Sequence, residues 1–148
     1  MSVCVELLVF SARGGALHYA PHGAQVIGDR HPDAVAAALA GNPPDLTVLH
    51  STSWRYAEGR VVLTYAAVLD GTPGPGAREL PEHGIARSPD PRRPSPPQVC
   101  PDAVATHAAR HLAWLRETDP VAGAALAAVP NVWNALGIHI PAPAGVIV

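Results

Sequence analysis

The chain has 148 residues, a net charge of −2 at pH 7 and a hydrophobic fraction of 48%, which suits one globular domain with its own core. The near-neutral balance lacks the basic footprint of a nucleic-acid module, and charged residues, at 15%, fall well below the ~25% usual for soluble domains. All 10 basic residues are arginine, so Schiff-base chemistry, a lysine phosphate contact and an amine nucleophile are excluded.

Residues 3–10 are nearly continuous apolar and rich in Val, the pattern of a strand covered on both faces. Cys4 falls inside this run as a buried thiol, and with Cys100 it forms neither metal-ligand spacing nor a disulfide framework. No basic stretch precedes an apolar core at the N-terminus and no apolar run reaches ~18 residues, so neither a secretory signal nor a membrane span is expected. The cytoplasm is the expected compartment. Residues 11–15 read as a turn, 16–20 as a short partner strand and 21–28 as loop or irregular strand. Pro32 and Asp33 open a helix that runs to Ala40 and stops at Gly41. Residues 46–56 and 60–70 read as two long strands joined by a three-residue loop of Ala57, Glu58 and Gly59.

Residues 71–101 change character. They hold nine of the 17 prolines with few apolar residues, and such a stretch cannot bury enough surface to fold alone. It is either a lid or a passive linker. Residues 102–117 form the best helix, capped at Asp102 or just before. Asp119 and Pro120 start a second helix to about Val129, and Pro130 a third that Gly137 closes. The sequence therefore predicts one α+β domain over residues 1–148. A mostly antiparallel ββα-ββ sheet carries three C-terminal helices packed on one face, with a long Pro-rich loop inside.

The chemistry-bearing side chains gather on two of these elements. Simple alternation puts His50 and Trp54 on one strand face and Arg55 on the other, unless a bulge intervenes. With a three-residue loop, His50 pairs with Ala66 and Trp54 with Val62. On the helix, residues ~100° apart give an apolar stripe through Val104, Ala105, Ala108, Leu112 and Leu115. His107, Arg110, His111 and Trp114 form a polar-aromatic flank beside it, while Thr106, Ala109, Ala113 and Arg116 face away.

Three reactions were weighed against these residues. His107 and His111 have the i, i+4 spacing of two metal ligands, with His50 or Asp119 as a third, but Ala108 stands where a zinc hydrolase needs a glutamate. Ser51 and Ser53 lack the Gly-x-Ser-x-Gly elbow of a serine nucleophile. Anion binding by Arg55, Arg110 and protonated histidines needs no missing residue. The ββαββ start is superficially similar to Nudix-type nucleotide hydrolases, yet none of the chain's five glutamates forms their Glu-x-x-Glu-Glu cluster. The leading expectation is a small anionic or aromatic ligand, phosphate or carboxylate included. It would lie in a crevice between hairpin 46–70 and helix 102–117, lined by His50, Trp54, Arg55, His107, Arg110, His111 and Trp114. No metal, nucleic acid or membrane is expected, and no cofactor or reaction is assigned. The alternatives are a His-ligated metal-dependent hydrolase, and a non-catalytic interaction module that dimerises through the helices after Pro120 and the apolar tail to Val148.

Overall fold

The apolar N-terminal run forms β1 (Ser2–Arg13), which lies inside a six-stranded sheet. It pairs antiparallel with β2 (Ala16–Val26), across a turn in which Gly14 and Gly15 have positive φ. After α1 (Pro32–Ala40), a second hairpin of β3 (Leu46–Ala57) and β4 (Arg60–Leu69) returns to the sheet. There β4 pairs parallel with β1 and joins the two hairpins. Two-residue strands β5 (Arg78–Glu79) and β6 (Gly145–Val146) flank β2 and β3, giving the order β5-β2-β1-β4-β3-β6. The helices α2 (Pro101–Thr118), α3 (Pro120–Ala127) and α4 (Pro130–Leu136) complete an α+β fold with a mostly antiparallel sheet. This computed structural model describes residues 2–81, 91–92, 99–143 and 145–146. Residues 82–90 and 93–98 of the Pro-rich stretch read as lid or linker, and residues 144 and 147–148 of the apolar tail, lie outside the described residues.

Each helix starts where a proline can take its first position without losing a hydrogen bond. His31 caps α1 by accepting from the Asp33 N–H at 3.1 Å, and Gly41 ends it in the left-handed region at φ 72°. Asp119 caps α3 by accepting from the N–H groups of Val121 and Ala122 at 2.9 and 3.0 Å. Cys100, just before Asp102, occupies the cap position of α2 without a side-chain capping hydrogen bond.

Both sheet faces are covered. On one, Leu8, Phe10, Leu17, Tyr19, Val48, Ala66 and Val68 pack against α2, α3 and α4. On the other, Val5, Leu7, Tyr65 and Ala67 pack against Val35 and Ala36 of α1. Burying a side chain such as Leu7 or Leu112, both fully buried, contributes about 1.5–3 kcal/mol each. Of the two readings of residues 21–28, the irregular strand is the one found over 21–26, which belong to β2 because a bulge absorbs Gly23 at φ 103° and pairing with β1 resumes at Ala24. One expectation is corrected here: Thr106, Ala109 and Ala113 do not face solvent, since α3 and α4 cover the outer side of α2 and bury all three.

Candidate functional site

The turn between β3 and β4 sets the geometry. Ala57 pairs with Arg60, so the loop has two residues, Glu58 at φ 50° and Gly59 at φ 76°. Two consecutive positive φ values define a turn of type I′, whose twist matches that of the strands. Farther along, the register slips by one between Ser51 and Ser53, where Thr52 is the extra residue and donates its hydroxyl to the Thr64 carbonyl at 3.1 Å. The shorter loop and the bulge cancel, so His50 does lie opposite Ala66, a partner predicted from a different loop length. Beyond the bulge they do not cancel. Trp54 pairs with Leu63 rather than Val62, which moves it to the α1 face, where it is 43% exposed. Arg55 pairs with Val62 and so joins His50 and Ser53 on the α2 face.

α2 runs antiparallel to β3 across that face, since Val104 and Arg55 line one cavity and His111 meets His50 a helical repeat farther on. The His50 and His111 rings lie 5.3 Å apart at 53°, and His111 stacks on Trp114 at 5.8 Å and 22°. His107, Arg110 and Trp114 are half-buried, whereas His111 is 3% exposed. Of the seven residues expected to line the crevice, the fold brings His50, His111 and Trp114 into contact. It sets His107 and Arg110 beside them, places Arg55 nearer the helix N-terminus and removes Trp54.

Burial is the main electrostatic influence. It lowers the His111 pKa to about 4, assisted by the neighbouring His50 and His107. The Ala142 backbone opposes this shift but forms no well-aligned hydrogen bond to the ring. Burial also lowers the His107 pKa, with the Arg110 guanidinium adding to the effect. At pH 7 His111 is therefore a neutral imidazole, able to donate from one nitrogen and accept at the other. His50 Nδ1 lies 2.8 Å from the Ser51 carbonyl, which can only accept, so Nδ1 donates there and Nε2 is the nitrogen left for another partner.

A row of polar atoms follows from this arrangement. Ser53 Oγ, His107 Nε2 and both ring nitrogens of His111 are buried without a hydrogen-bond partner among the described residues. Buried side-chain polar atoms nearly always have a partner, and leaving one unmade costs about 1–3 kcal/mol. At the N-terminal end of α2 the same seam opens into a cavity of about 160 Å3 between Glu6, Leu8, Arg55 and Val104. Its polar wall is an ion pair. Arg55 bonds both carboxylate oxygens of Glu6 through Nη1 and Nη2, the latter at 3.1 Å, and Thr64 donates to the same carboxylate at 2.5 Å. The sequence reading gave Glu6 and Thr64 no part; the one signal was an acid inside an otherwise apolar strand, which implies a buried partner.

Comparison with protein families, curated proteins and solved structures finds no match for this chain. Among the described residues no three His, Cys, Asp or Glu side chains are grouped so as to hold a metal ion. Asp119, considered as a third ligand, instead caps α3.

Proposed function

We propose that the seam between β3 and α2 binds a small neutral planar molecule, a heteroaromatic or an aromatic amide, which supplies the hydrogen bonds that His111, His107 and Ser53 lack. The unpartnered imidazole of His111 is the observation that supports this most. Trp114 offers the ligand an apolar face, and His50 Nε2 offers an acceptor. An anionic ligand fits less well than the sequence implied. His111 is neutral near pH 7, and the Arg55 guanidinium is already engaged by Glu6.

Thermal unfolding separates these cases. Benzamide and nicotinamide raise the melting temperature of the wild-type chain, as any ligand that binds only the folded state must. Benzoate and phosphate raise it less, and His111→Ala abolishes the response. Stabilisation by the anions alone would overturn the ligand class, and an unchanged response in His111→Ala would overturn the site.

A second reading has one observation in its favour. Trp54 and Tyr56, alternate residues of β3, are 43% and 66% exposed, and exposed aromatic pairs are common at partner surfaces. On this reading the chain self-associates through the hairpin, not through the later helices and tail. Sedimentation of wild type against Trp54→Ser/Tyr56→Ser tests it: a dimer lost in the variant supports it, and a monomeric wild type at high concentration excludes it.

A further inference from the structure

The sheet face opposite the seam holds a larger cavity of about 280 Å3, just below the ~300–1,000 Å3 of common ligand sites. Its floor is made by Val9, Leu46, Ala67 and Leu69, and its roof by Ala40 at the end of α1 and Pro43 just beyond. The hollow exists because Ala67 is small: its partners on the two neighbouring strands are Val9 and Leu49. Protein interiors are close-packed, so a void of this size is collapsed or filled unless the backbone holds it open.

Here the backbone does hold it open. Gly41 and Asn42 leave the helix at φ 72° and φ 50°, two prolines follow, and the Leu46 N–H is fixed to the Pro43 carbonyl at 3.0 Å. On the opposite rim β2 bulges at His22 and Gly23, and a Cβ on Gly23 would come within 3.1 Å of Leu39 Cδ2, so α1 packs closely on the bulge. Bulges of this kind commonly re-aim a side chain at a functional site. Among the described residues that line the cavity, His22 is the only one with a polar side chain.

We propose that this cavity binds a small uncharged molecule with an apolar body and one hydroxyl group, an alkanol or a phenol, with the hydroxyl at His22. Apolar walls reward a chain or a single ring. A carboxylate head is disfavoured because no arginine lines the cavity and the C-terminal end of α1 carries partial negative charge. The site shares no residue with the seam, so each can fail alone.

The test is a titration of the full chain with 1-hexanol, followed in amide correlation spectra. Saturable shifts are expected at Ala40, Leu46 and Ala67, with none at His50 or His111. Ala67→Leu fills the floor and weakens binding at least about tenfold. Leu69→Phe, at the half-buried edge, serves the same purpose if the first variant does not fold. His22→Ala weakens hexanol about fivefold, the value of one neutral hydrogen bond, and leaves cyclohexane binding unchanged. Absence of saturable shifts, shifts confined to the seam, or equal affinity in a folded filling variant would overturn the proposal. Tighter binding of hexanoate than of hexanol would overturn the uncharged head group.

Discussion

His111 illustrates what one buried imidazole does to a small domain. In the unfolded chain it titrates near its ordinary value of 6.5, whereas in the fold its pKa falls to about 4 because burial penalises the charged form. The unfolded state therefore binds a proton that the folded state refuses, and stability rises with pH across this window. The contribution is complete above about pH 6.5 and is lost as the pH falls toward 4, a change on the order of 3 kcal/mol. His107 acts in the same direction. The groups facing His111 are His50 from β3 and His107 from α2, and both disfavour its charged form. Urea unfolding midpoints measured between pH 7 and pH 4 should therefore fall steeply for the wild type. His111→Phe, which keeps a ring but no ionisable nitrogen, should flatten that fall. An equally steep fall in the variant would mean that His111 is not held neutral. The two buried tyrosines make a contrast. Burial first, then a hydrogen bond to Asp102, pushes the Tyr19 hydroxyl up to about 12, and burial with an Asp33 partner raises Tyr65 as well. Both stay protonated and act as fixed donors that tie the sheet to α2 and α1.

The β3–β4 hairpin decides which side chains reach the site. Its turn asks for two residues with positive φ, and Glu58 accepts that conformation at φ 50° with a Cβ in the way. Glu58→Asn, a residue that tolerates the left-handed region, is expected to stabilise the domain by about 0.5 kcal/mol. Gly59→Ala is expected to cost about 1 kcal/mol. Chemical denaturation of both variants checks the signs, and a destabilising Glu58→Asn would rule out the two-residue turn. Much of the hairpin was legible in the residues: two β-rich runs around Glu58 and Gly59 announced it, and His50 opposite Ala66 followed. The bulge at Thr52 was not legible, because Ser51, Thr52 and Ser53 are small, β-compatible residues that satisfy alternation equally well in either register. That single extra residue exchanged the faces of Trp54 and Arg55. Helix starts were legible because each has a proline at its first position. The burial of Thr106, Ala109 and Ala113 was not, since it depends on where α3 and α4 come to rest, and small residues do not reveal which neighbour covers them. The pairing of Glu6 with Arg55 was hidden for the same reason. It links residues 49 positions apart, and no local pattern connects them.

For the whole molecule, two antiparallel hairpins are fused by the parallel contact of β1 with β4, and this places helices on both sides of one sheet. The consequence is two separate hollows. One lies at the N-terminal end of α2 beside the Glu6–Arg55 ion pair; the other lies under α1 and is almost wholly apolar. A chain of low charge can stay folded with such a division because α2 is buried on nearly every side and anchors the larger core. The same burial makes the unpaired nitrogens of His111 expensive, and this expense is the reason for assigning a ligand to the seam. Histidine side-chain nitrogen spectra of the full chain at pH 7, recorded while nicotinamide is added, test that assignment most directly. The account predicts that His111 resonates as a neutral ring before addition, and that its nitrogens, with His50 Nε2, shift saturably as hydrogen bonds form. A His111 that is cationic at pH 7, or whose nitrogens stay unmoved at saturating ligand, would contradict it.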